Sequence, residues 1–222
     1  MGAIRSVVQQ LDPSKPSLDE QKQLIETLAK LAESKAQFFE LQISTSLRTA
    51  GSPDNQTIPV EAVLGSVTET HAYASKSSAA IGDTVSKALK SFCSGSKEDI
   101  LTGVGALISD SLATFLGDSS ASDTTLQRYY IVPEGFSIVR VDVCAWQLSI
   151  ESKGIQDLAE KVSAYVAVKS AVDLTKIKFN TFLSVYSLQL EKMQLEREAL
   201  EAALEEAKKI YREFNSGALT VG

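Results

Sequence analysis

Reactive groups are scarce in this chain. Its 222 residues hold one histidine, two cysteines, two methionines, one tryptophan and five prolines. A single histidine, His71, cannot supply a multi-histidine metal site, and it leaves the usual base-assisted nucleophiles without a partner. Cys93 and Cys144 are too few and too far apart for a disulfide framework or a zinc knot, so no cofactor is expected. Positive charge is also in deficit, with 22 Lys and Arg against 28 Asp and Glu and a net charge of −6. An acidic chain repels phosphate backbones, which argues against nucleic-acid binding and against simple electrostatic attachment to anionic lipid. No uncharged apolar run reaches the roughly 18 residues of a membrane-spanning helix, so no permanent transmembrane helix is expected. The start, "MGAIRSVVQQLDPSKP", lacks a cleavable secretory signal. The expected location is the cytoplasm, or the exterior by a route without such a signal.

Carboxylates are plentiful, but Glu196, Glu198, Glu201, Glu205 and Glu206 crowd one solvated helical stretch. "LTGVGALIS" holds G-x-G without a third glycine and is no nucleotide fingerprint. No catalytic, cofactor-binding or metal-ligating residue is assigned, and the chain is expected not to be an enzyme. One modification pattern is present: Gly2 and Ser6 fit M-G-x-x-x-[ST], which makes Gly2 a candidate for N-myristoylation.

What is abundant is helical periodicity between prolines. Residues 1–16 are expected as a flexible N-terminal arm. A helix is expected over 17–49, with Ser17 and Glu20 as a capping box and an apolar stripe through Leu24, Leu28, Leu31 and Phe38, flanked by Ile25, Ala32, Phe39 and Ile43. "AGSPDNQTIP" is a loop. A second helix is expected over 59–92 from Val60, Leu64, Val67, His71, Ala74, Ile81, Val85 and Ala88. A third covers 97–117, "KEDILTGVGALISDSLATFLG", with Asp110 the only charge from Leu101 onward. The period then drops to two in "RYYIVPEGFSIVRVDVCAWQLSI", which predicts a hairpin within 128–150 that pairs 128–132 with 137–149.

The last third has no glycine or proline between Gly154 and Gly217. Ile155, Leu158, Val162, Val166 and Val172 suit helical spacing. Phe179, Leu183, Tyr186, Leu190, Met193, Leu200, Leu204, Tyr211 and Phe214 follow as a heptad-like seam interrupted by Arg197. Residues 155–215 are therefore expected as one long helix of about 90 Å at 1.5 Å per residue, or as a helix pair.

The fold expected is a mainly α single domain over 1–222: an elongated helical bundle with a long coiled-coil-like C-terminal helix and one β-hairpin. The function expected is non-enzymatic. The chain would act by self-association or by binding a helical partner through that seam. Long helices beside one hydrophobic helix and a hairpin resemble soluble α-helical pore-forming toxins in architecture, with no motif matched. That resemblance implies an alternative, a membrane-active protein whose 100–117 segment meets lipid through Leu101, Val104, Leu107, Ile108, Leu112, Phe115 and Leu116.

Overall fold

The computed structural model describes residues 18–73, 98–117, 123–134, 137–150, 161–193 and 195–216. Their elements, in chain order, are α1 (Leu18–Thr49), β1 (Val60–Tyr73), α2 (Glu98–Gly117), β2 (Thr124–Glu134), β3 (Ser137–Ser149), β4 (Lys161–Val172), α3 (Phe179–Lys192) and α4 (Arg197–Asn215). The four strands form one antiparallel sheet in the order β1-β4-β3-β2.

The molecule is thus an antiparallel sheet between two helical layers, which corrects the expectation of a helical bundle. Two elements carry the correction. The segment expected to start a second helix at 59 is strand β1 as far as Tyr73; residues 74–92 lie outside the described residues. β1 is an edge strand with Val63 and Leu64 both exposed, so it lacks the clean in-out alternation that betrays a strand. Its β-branched density (Val60, Val63, Val67, Thr68, Thr70) was the truer signal. The long C-terminal helix is also absent. Lys161–Val172 is a central strand, buried on both faces, so its sequence is a nearly continuous apolar run without a period-two signature. Val162 and Val166 share a face because four residues is two strand repeats as well as about one helical turn.

The chain then turns at Asp173, whose carboxylate accepts from the Thr175 N–H (3.1 Å) and from its hydroxyl. The remaining residues form the hairpin α3–α4 and no coiled-coil rod. Phe179 at the start of α3 meets Tyr211 near the end of α4, with ring centroids 4.9 Å apart.

The other expectations sit closer to what is seen. α1 occupies Leu18–Thr49 against 17–49, and α2 occupies Glu98–Gly117 against 97–117. The hairpin β2–β3 is longer than expected, pairing Thr124 with Gln147 through to Glu134 with Ser137.

Layering follows from side-chain alternation. Cys144, Trp146, Val162, Ala164, Val166 and Val168 point to one face, where α1 lays Leu24, Leu28, Ala32, Phe39, Ile43 and Leu47 on them. Phe38, expected in that stripe, is 58% exposed, because contacts at steps of four and three select Phe39 and Ile43. Val139, Val141, Val143, Ala145, Tyr165 and Ala167 point the other way. There Val104, Ile108 and Leu112 of α2 join Phe182, Tyr186 and Leu190 of α3 and Ala203, Ala207 and Ile210 of α4. The two layers are staggered. α1 covers β1, β4 and β3, whereas α2, α3 and α4 pack on the β2–β3 side.

Candidate binding groove at the β2 edge

β2 is an edge strand, and one of its residues is already met by a side chain. The N–H of Ile131 donates to Gln189 Oε1 and Gln189 Nε2 donates to the Ile131 carbonyl, both at 2.6 Å. The carboxamide of α3 therefore fills a rung as a neighbouring strand would. Backbone groups alternate along a strand, so the N–H and C=O of Tyr129 and Gln127 also face away from β3. Among the described residues no backbone partner meets them.

These open rungs floor a groove of about 580 Å³. Leu107 and Ser111 of α2 form one wall, and Val185, Leu188, Gln189 and Lys192 of α3 form the other. Leu188 is 59% exposed. Arg128 reaches across the floor, its Nη1 donating to Ser111 Oγ at 3.2 Å, while the Tyr130 hydroxyl donates to the same oxygen at 3.2 Å. Arg128 and Lys192 are the only charged residues of this lining, and both are cations. A second groove, of about 510 Å³, continues between α2 and β2 toward the start of β2 and shares Leu107, Ser111 and Arg128 with the first. Its lining adds Asp110, Phe115 and Thr124.

The other polar concentration is buried and closed. Arg140, 1% exposed, donates Nε and Nη2 to the two oxygens of Asp142 at 2.8 and 2.6 Å. Its Nη1 donates to Thr57 Oγ1 at 3.0 Å and to the Ile58 carbonyl at 2.7 Å, and its guanidinium lies 4.3 Å from the Tyr129 ring centroid. Burial raises the Asp142 pKa, and the hydrogen bonds and charge of Arg140 only partly offset it. Burial raises that of Tyr129 as well, with Arg140 opposing. Arg140 and Asp142 are satisfied by one another and by Thr57 and Ile58, so the cluster pins the α1–β1 connection to the sheet. Cys144 is likewise inert. Burial, helped by the Asp142 charge, pushes its thiol up to about 12. No group of His, Cys, Asp or Glu among the described residues could hold a metal ion.

The residues singled out in the sequence are distributed as follows. In the seam, Tyr186 and Leu190 are buried, Phe179, Leu183, Met193, Leu200, Leu204 and Tyr211 are half-buried, and Phe214 is 38% exposed. Most of that seam faces the chain's own core. Of the lipid-contact candidates, Val104, Ile108 and Leu112 are buried and Leu107 and Phe115 half-buried. The side chains of Leu101 and Leu116, and all of Gly2, lie outside the described residues. Among the described residues no helix is long and apolar enough to cross a membrane.

Sequence reasoning passed over Gln189, Gln127, Arg128 and Lys192. A glutamine between Leu188 and Leu190 reads as an ordinary helix-face residue. Its role depends on which strand edge lies beside it, and spacing does not report that. Comparison of the chain with protein-family models, with curated proteins and with solved structures finds no match.

Proposed function

We propose that this protein acts by binding rather than by catalysis, and that its site takes an extended polypeptide segment as a fifth strand on β2. The observation that carries this reading is the Gln189 carboxamide at Ile131, a primary-amide surrogate for a peptide group. It marks the distance and direction at which an added strand would sit. Each rung filled contributes on the order of 0.5–1.5 kcal/mol per hydrogen bond net. Leu107, Val185 and Leu188 then supply apolar contacts along the groove.

Gln127→Pro tests the reading. It removes an outward N–H while leaving the ladder to β3 intact. The variant should keep the native fold and lose binding to peptides selected from an extended-peptide library. Binding that survives in Gln127→Pro would sink it.

One observation favours a second reading. α2 rests over the sheet margin with open grooves between it and β2, and between residues 101 and 117 it carries a single charge, Asp110. A helix so seated and so apolar is suited to lie in a lipid interface once released from β2. Dye release from liposomes by the pure chain tests this, and a disulfide clamping α2 to β2 should abolish the release.

A further inference from the structure

The strand that fits the β2 groove is present in the chain itself. We infer that the occupant is β1 of a second copy, so that chains add head to tail with their sheets continuous. This inference rests on the strand-addition reading above and names its partner.

Three observations converge on it. The first is direction. Neighbours in the order β1-β4-β3-β2 are all antiparallel, so β2 runs opposite to β1. A second copy placed beside the first in the same orientation therefore presents β1 antiparallel to β2. The second is room. On the face where α2 and α3 overhang β2, the three C-terminal-side helices make their main contacts with β2 and β3, while α1 covers β1 from the opposite face. The stagger lets an incoming β1 slide under the overhang. The third is chemistry. β1 carries Glu61 and Glu69 and no Lys or Arg, and it exposes Val63 (58%) and Leu64 (55%). The groove offers Arg128, Lys192 and apolar walls. Acidic and apolar thus meets basic and apolar.

Two-fold pairing of β1 with β1 is the poorer alternative. It sets like-charged strands side by side and brings the two α1 helices together on one face, Glu40 of each copy included. Glu40 already reaches β1, accepting from Thr68 Oγ1 at 2.6 Å. The contact is heterologous, so it closes into a ring if the rotation per copy allows and otherwise extends as a filament. Gln189 sets where pairing ends, since the Ile131 rung is taken.

The test uses the full chain. Light scattering across protein concentration should show assembly that weakens as salt rises. Arg128→Glu with Lys192→Glu, and separately Glu61→Lys with Glu69→Lys, should each raise the dissociation constant by at least about tenfold, and an equimolar mixture of the two variants should assemble again. Rescue by mixing also shows that both variants are folded. A wild-type chain that stays monomeric at millimolar concentration, or assembly indifferent to both reversals, overturns the inference. If such a monomeric chain still binds library peptides in a manner lost in Gln127→Pro, the strand-addition reading stands and only the identity of the occupant falls. If nothing binds in a Gln127-dependent manner, both fall.

Discussion

Arg140 and Asp142 show how a single pair can decide stability without deciding function. Both are buried, and Arg140 reaches Thr57 and Ile58 besides its carboxylate. Asp142→Asn leaves a buried guanidinium without its counter-charge, a change that typically costs about 3–5 kcal/mol. Urea unfolding should show a loss of that order. A loss under about 1 kcal/mol would mean that water reaches the pair.

Asp173 works in the opposite sense. Burial alone would raise its pKa, but hydrogen bonds from Lys176 and Thr175 outweigh burial and hold it below the ordinary 3.8. A carboxyl depressed in the folded state contributes stability that is fully present above its unfolded value and is lost as pH falls through the folded one. Asp173→Asn should therefore cost about 0.5–1.5 kcal/mol at pH 7 and progressively less as the pH falls below the ordinary carboxylate value, read from urea midpoints along the pH series. Cys144 gives a third residue-scale test. In a Cys93→Ser chain the thiol should resist a maleimide at pH 7 until denaturant is added, because a thiol held near 12 has almost no thiolate.

At the scale of elements, the periodicity of α1 and α2 and the alternation of the β2–β3 hairpin were legible in the sequence. The helices each keep one face on the core, whereas β3 is buried on both faces and reads as a strand because the buried pair Arg140 and Asp142 supplies its polar alternation. β1 and β4 were illegible for opposite reasons. β4, sandwiched by α1 and by β1 and β3, is buried all round, and a uniform apolar run carries no period. β1 is exposed on much of both faces, and Val63 beside Leu64 breaks the alternation. The groove was not legible at all, because it depends on Gln127, Arg128 and Gln189 meeting across 58 or more residues of chain.

The edges differ in protection as well. β1 has register shifts against β4 between Val60 and Ala62 and between Val63 and Gly65, bulges of the kind that commonly guard an edge. α2 depends on few side chains for its seat. Ile108→Ala, at a site 1% exposed, should cost about 2–5 kcal/mol in thermal or urea unfolding. It should also increase liposome binding if release of α2 governs lipid contact.

For the whole molecule, charge and layering point the same way. A chain of net charge −6 concentrates two cations at one sheet edge and two acids on the opposite edge strand. Among the described residues its helices are offset, α1 toward β1 and β4 and the other three toward β2 and β3. Strand addition at β2 makes a direct demand on two backbone amides. Hydrogen exchange of the Gln127 and Tyr129 N–H groups, followed by NMR as the protein is concentrated or as a peptide of residues 60–73 is added, reads that demand residue by residue. Addition at this edge predicts that both amides slow by about tenfold or more on association while the N–H of Ile131, already bonded to Gln189, changes little. Association that leaves Gln127 and Tyr129 exchanging as they do in the free chain would contradict it.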